Sequence, residues 1–222
     1  MTSASAATPH DREHHDTKAR ILEVAERLFM EHGFSSTSLR MITGEAKVNL
    51  ASVNYHFGTK EALIEAVFTR RLAPLNQERV NQLAAMEAHA AGAPLCVAQI
   101  VDAFVMSALR LGENQSETGT VFLRLLGRAF SDPSSGVRGL LAKQYGNVVT
   151  RFKRALAKAL PDLLEEDLVW RMHFMFGTMA YTNASMDAIN LIASCKSADP
   201  QDQAAVLHRL AKFLVAGLQA PR

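Results

Sequence analysis

From Thr17 to Phe68 the apolar residues recur at a helical period and break off at short polar intervals. Ile21, Leu22, Ala25, Leu28 and Phe29 follow the capping residues Asp16 and Thr17 and precede Gly33, which predicts a first helix with a glycine stop. Leu39 and Ile42 predict a short second helix, capped by Thr37 or Ser36 and ending near Ala46. A third spans about Asn49 to Tyr55. Thr59 then caps a fourth that carries Leu63, Ile64, Val67 and Phe68. The third helix is unlike its neighbours: Val48, Val53 and Phe57 fall on one side, and the small or hydrogen-bonding Ala51, Ser52 and Asn54 on the other. A helix that lies in a DNA groove needs one thin, polar side and one side anchored in a core. The second and third helices together therefore predict a helix-turn-helix.

The helical pattern persists beyond this block. Pro74 would kink or interrupt a helix, yet Leu72 to Ala90 otherwise continues the fourth. Ala91-Gly92-Ala93-Pro94 is a clear break, after which helices are expected over 95–111, 117–131, 137–160, 165–193 and 200–218. Residues 1–15 are small, polar and irregular and are expected to form a disordered tail. His10, His14 and His15 with Asp11 and Glu13 have no second ligand cluster, so no metal or cofactor is expected there. The fold predicted is all-α, with about nine helices. A helix-turn-helix domain over 16–70 joins, through the fourth helix, a helical bundle over 71–222.

Composition agrees with that class: 48% of the 222 residues are apolar and only 7% aromatic, with core enough for one or two domains. Cys96 and Cys195 lie inside apolar helical patterns and read as buried, inert thiols, with a redox pair as the alternative. The first residues lack a basic flank followed by an apolar run, as a signal peptide would have. The most apolar window, Met172 to Cys195, is broken by His173, Asn183, Asp187 and Asn190. A cytoplasmic protein with no membrane partner is the expectation.

Charge changes the picture only through its placement. A net charge of +2 is a weak argument for a nucleic-acid partner, and the nine cations within residues 11–71 are matched by nine carboxylates. Arg40, Lys47 and Lys60, however, bracket the third helix, and only Glu45 opposes them there. Phosphate contacts would then come from few cations together with hydroxyls and helix N-termini, giving modest non-specific affinity.

The second half of the chain holds no Glu-x-x-His pair, His-Glu-x-x-His, glycine-rich phosphate loop or nucleophile elbow. A helical bundle of this kind reads as a receptor rather than an enzyme. Two stretches suit a long apolar ligand. Phe122 to Phe130 places Arg124 and Arg128 on one side of an apolar helix, and Trp170 to Tyr181 gathers Met and aromatic residues around Arg171 and His173. A cation at the edge could hold a carboxylate or thioester end. Plain alternatives exist for each. Met and Phe at this spacing also build ordinary cores, Arg124 could pair with Glu117 or Asp102, His173 could be a hydrogen-bonded core histidine, and Tyr181 could serve a dimer contact.

Tyr55-x-Phe57-Gly58-x-Lys60-Glu61-Ala62-Leu63 resembles the signature of the TetR/AcrR family of bacterial one-component regulators. The likeness extends upstream through Ile21-Leu22-x-x-Ala25-x-x-Leu28-Phe29-x-x-x-Gly33-Phe34-x-x-Thr37-Ser38-Leu39. Asn49 to Gly58, Leu-Arg-Leu-Leu-Gly at 123–127 and Trp-Arg-x-His-Phe-Met at 170–175 further resemble the PsrA-type branch, with a weaker match over 73–116 and after Ile192. Asn114 to Thr120 departs from that branch.

The resemblance implies a repressor that binds a palindromic operator as a homodimer, paired through its last two long helices. A long-chain fatty acid or its coenzyme A ester would release it from genes of fatty-acid metabolism. It further implies that Asn54 and Ser52 read base edges, with Ala51 close to a thymine methyl and Leu50 available for an apolar base contact. Thr37, Ser38, Tyr55, His56 and Lys60 would meet phosphate, with Arg40, Lys47 and Asn49 in the same interface. Phe122, Arg124, Leu125, Arg128, His173, Phe174, Phe176, Gly177 and Tyr181 would form the effector site. Two alternatives stand beside this reading: a repressor answering hydrophobic drugs or aromatic compounds, and a lipid-binding helical protein whose helix-turn-helix is vestigial.

Overall fold

The first helix begins well before its apolar phase. In the structure, a computed structural model that describes residues 9–108, 118–184 and 202–221, α1 runs Pro9–His32. The start expected at Asp16 or Thr17 is corrected, and residues 9–15 belong to a helix rather than to a tail. Pro9 occupies the first helical position, where its fixed φ fits and its missing N–H costs nothing. The sequence of that first turn sets no apolar period, so periodicity is silent about it.

Two compact units divide the chain, Met1–Arg70 and Arg71–Arg222. In the first, α1, α2 (Leu39–Ala46), α3 (Leu50–Phe57) and the start of α4 (Lys60–His89) enclose a small core. Ile21, Ala25, Leu28 and Phe29 from α1 meet Ile42, Val53, Leu63, Val67 and Phe68 there, all buried. Phe34 bridges Phe29 and Phe68, with ring centroids 5.6 and 5.9 Å away. A part-buried ion pair helps fasten the unit: Arg70 Nη2 donates to Glu26 Oε2 at 2.7 Å.

The junctions follow from local chemistry. Gly33 has φ 85°, a conformation that stops α1 and is free of strain for glycine. Ser38 caps α2 by accepting from the Met41 N–H at 3.2 Å, one residue beyond the expected cap. Asn49 caps α3, and the Thr59 hydroxyl accepts from the Ala62 N–H at 3.1 Å to start α4.

α4 continues through Pro74. The ring lies on the exposed side, while Leu72, Leu75 and Asn76 around it are buried, so the lost backbone hydrogen bond falls towards water.

The second unit adds α5 (Val97–Val105), a 3₁₀ turn (Met106–Ala108), α6 (Thr118–Phe130), α7 (Ser135–Ala159), α8 (Glu165–Ala184) and α9 (Gln203–Leu218). Nine α-helices and no strand occur among the described residues. The ends expected at 111 and 193 lie outside those residues. Leu72, Leu83, Ile100, Phe104, Phe122, Phe152, Met172 and Leu207 are buried among the core side chains.

α6 and α8 pack so closely that a Cβ at Gly127 would stand 2.5 Å from the Ala180 carbonyl oxygen and 2.6 Å from the Ala184 nitrogen. α9 packs on α5 and α8. Arg171 Nη1 on α8 donates to the Leu218 and Ala220 carbonyls at 2.8 and 2.7 Å, closing the C-terminus of α9 with a cation.

Cys96 is exposed, which corrects the buried thiol expected there. It stands at the N-cap of α5, outside the helical phase, and Leu95 and Val97 take the buried positions on either side. Cys195 lies outside the described residues. No described helix is long and apolar enough to cross a membrane.

Candidate functional site

α3 is held from one side and bare on the other. Val53 is fully buried and Phe57 half-buried, while Leu50, Ala51, Asn54 and Tyr55 are exposed at positions that share one helical face. Tyr55 reaches 77% exposure and Leu50 43%. The face is thin at Ala51 and carries an amide at Asn54, two features that suit a groove whose floor presents donors, acceptors and thymine methyls.

Hydrogen bonds separate structural from available polar groups. Asn49 Oδ1 accepts from the Ser52 N–H at 2.7 Å and from the Ser52 hydroxyl at 2.9 Å, so these two residues cap α3 through each other. Ser52 retains its lone pairs but has committed its proton. Thr37, expected at phosphate, is corrected: it is fully buried, and its hydroxyl bonds the Gly33 carbonyl at 2.8 Å and lies 3.0 Å from that of Leu28. A hydroxyl so placed ties the loop after α1 and reaches no external ligand. Ser38 remains exposed at the N-terminus of α2.

Arg40 and Lys47 are exposed, and Lys60 reaches the Ser35 carbonyl with its Nζ at 3.3 Å. His56 is half-buried and edge-on to Tyr55, with ring centroids 5.2 Å apart. Glu45, the carboxylate that opposes these cations, is paired with Arg27 of α1. The local balance at this surface is therefore more positive than the sequence count suggests.

The second unit contains a cavity of about 450 Å³, of a size suited to a small molecule. His173, Phe176, Gly177 and Tyr181 line it, as do Phe130 and Tyr145. Phe130 stacks on Phe176 at 6.5 Å, and Tyr145 meets Phe176 edge-on at 6.2 Å, making a flat apolar wall. His173 is exposed at this cavity and is not a core histidine.

Five residues expected at the effector site are not among its lining. Phe122 and Leu125 are buried in the core, and Arg124 and Arg128 stand on the exposed side of α6. Arg124 makes no ion pair with Asp102 among the described residues, and Glu117 lies outside them. Phe174 is 60% exposed and stacks on Trp170 at 5.9 Å. With Val169, Leu164 and Tyr181 it forms an exposed apolar strip on and beside α8, and Phe213 adds to the exposed apolar surface from α9.

One cation was missed. Arg79 on α4 is only 2% exposed, with Cζ 3.9 Å above the Phe104 ring and 5.9 Å from that of Tyr145. The signal was present in the sequence: Leu72, Leu75, Asn76, Arg79 and Leu83 share one helical phase, so a charge stands where an apolar residue is due.

Comparison with known proteins gives two domain matches. Residues 21–67 match the bacterial regulatory proteins of the tetR family, and residues 102–217 match the tetracyclin repressor-like C-terminal domain. The transcriptional repressor Rv3405c of Mycobacterium tuberculosis is 46% identical over 52 residues. That stretch spans 23% of this chain and 28% of the repressor, so the likeness informs the helix-turn-helix segment alone.

Solved structures share the fold over most of the chain. The regulator FadR from Bacillus subtilis, in complex with stearoyl-CoA, superposes with a TM-score of 0.64 at 13% identity, covering 90% of this chain and 98% of its own. SmeT in complex with triclosan, the repressor of the Stenotrophomonas maltophilia multidrug efflux pump SmeDEF, gives 0.60 at 20% identity, covering 89% and 90%.

Proposed function

We propose a function from one premise: the chain belongs to the TetR family of bacterial regulatory proteins. As a member it is a DNA-binding transcriptional regulator, acting mainly as a repressor on a palindromic operator. Two copies pair through α8 and α9, and each presents α3 to the major groove. The observation that carries this reading is the exposed Ala51–Asn54–Tyr55 face on a helix anchored by Val53 and capped by Asn49. Asn54 reads a base edge, Ala51 permits close approach, and Ser38, Arg40, Lys47, Tyr55, His56 and Lys60 serve the phosphates.

The effector is a long-chain acyl compound, and the genes controlled belong to fatty-acid metabolism. The aromatic-walled cavity supports an apolar ligand, and the fold is shared with a regulator solved on stearoyl-CoA. The ligand acts by preferring the state of the dimer that does not fit the operator. A hundredfold loss of DNA occupancy requires a preference of about 2.7 kcal/mol.

A second reading, release by hydrophobic drugs, draws on the same apolar wall and on the comparable likeness to the triclosan complex. Native mass spectrometry of the purified protein, followed by lipid extraction, separates the two. A bound C16–C18 acid or its thioester is the expected result. An acyl-free protein whose melting temperature rises with triclosan but not with oleate would reject the acyl reading.

A further inference from the structure

Among the described residues, Arg79 is a charge buried without a countercharge. Its Nε donates to the Phe104 carbonyl at 3.0 Å and to Ser107 Oγ at 3.1 Å, and Nη1 donates to Asn76 Oδ1 at 3.1 Å. These acceptors are neutral. Among the described residues no carboxylate pairs with the guanidinium, unlike Arg70 with Glu26 or Arg151 with Glu87. Burial pushes its pKa down, opposed by the neighbouring Tyr145, yet a guanidinium remains charged in proteins. Hydrogen bonds from Nε and Nη1 partner part of the group, and they do not offset the loss of hydration around a cation.

The surroundings hold the group rigidly. Asn76 Nδ2 donates to the Gln144 carbonyl at 2.9 Å, and the Ser107 hydroxyl donates to the Phe104 carbonyl at 2.8 Å. Each side chain that orients Arg79 is itself oriented, as a recognition site requires. The cavity begins one side chain away. The Tyr145 ring stands 5.9 Å from the guanidinium carbon and also lines the cavity, and Phe104, beneath the guanidinium, packs on the wall residue Phe176 at 5.6 Å.

We infer that Arg79 recognises the anionic head of the effector, and that the effector is a free carboxylic acid with a long apolar chain. The chain occupies the aromatic-walled cavity, and the carboxylate lies against Tyr145, which donates to it from its hydroxyl, with Arg79 supplying the countercharge. The inference rests on the acyl reading above and narrows it. A coenzyme A thioester carries no charge at its carbonyl and would leave Arg79 unpaired. Arg124 and Arg128, exposed on α6, have no part in it.

The test is titration calorimetry of the full-length protein with oleate and with oleyl alcohol, which share a chain and differ in charge. Wild type should prefer the acid by about tenfold or more, the scale of a charge-assisted hydrogen bond. Arg79→Met should bind both within about threefold, and Arg79→Lys should keep part of the preference. Circular dichroism checks that each variant folds. Should Arg79→Met fail to fold, Tyr145→Phe, which removes only a hydroxyl, should still reduce the preference several-fold.

Equal binding of acid and alcohol by wild type would overturn the inference and leave a lipid effector standing. A preference retained by folded Arg79→Met, or by Tyr145→Phe where Arg79→Met does not fold, would overturn it likewise. Binding of neither probe by wild type would remove the acyl reading itself.

Discussion

At the scale of single residues, the same side-chain types play unrelated parts. Thr37 and Ser38 are adjacent hydroxyls, yet one is sealed in the core of the first unit and the other is open at a helix N-terminus. Thr37→Val keeps the shape and removes the two carbonyl contacts. It should lower stability by about 1 kcal/mol and leave the salt dependence of DNA affinity unchanged. Lys47→Ala should do the reverse, lowering the slope of log K against log salt by about 1. A changed slope in Thr37→Val would return that hydroxyl to the phosphate contacts. Asn54→Ala should relax preference at one base position, at about 1–3 kcal/mol of discrimination, in a selection from randomised sites. An unchanged sequence preference would reject its base-reading role. Much of the α3 face was legible from sequence, because exposure of Ala51 and Asn54 follows directly from the phase of Val53 and Phe57. The burial of Thr37 was not, since a cap and a loop tie ask for the same residue. Arg79 is marked in the sequence only by helical phase, as a charge at a position where an apolar residue is due.

At the scale of elements, helix ends were readable where the backbone itself needs a particular residue. Gly33 and Gly58 have φ of 85° and 75°, and Thr59 caps the next helix, so these three fix the turns around the reader. The start of α1 was not readable, because its first turn makes no apolar pattern. Nor was the meaning of Gly127, because close approach depends on a helix some fifty residues later. Gly127→Ala should cost about 1–3 kcal/mol, seen as a lower unfolding midpoint, since its methyl would strike backbone atoms of α8 that cannot rotate away. An unchanged midpoint would mean that α6 and α8 separate easily. The exposed apolar strip of α8 and α9 belongs to the proposed dimer. Phe213, 66% exposed, appears twice in a symmetric interface, and burying each ring contributes about 1.5–3 kcal/mol. Phe213→Glu should therefore raise the dimer dissociation constant at least a hundredfold in sedimentation velocity. A variant that stays dimeric at micromolar concentration would place the interface elsewhere.

At the scale of the whole molecule, the two domain matches divide the labour: a reader in the first unit and a receptor in the second. Coupling between them needs no strong interaction, since the required preference of about 2.7 kcal/mol is within the usual range of allosteric free energies. The near balance of charge, with a net of +2, makes specific contacts from α3 more important than general attraction to DNA. The central claim is tested most directly by fluorescence anisotropy on the DNA upstream of the chain's own gene. The titration is made at a stated salt near 0.15 M, with and without oleate and oleoyl-coenzyme A. The account predicts tight, saturable binding by the dimer and release by the acyl ligand, with oleate the stronger of the two. Binding that neither ligand moves would contradict acyl sensing, and absence of sequence-specific binding to this or any genomic fragment would contradict the regulator itself.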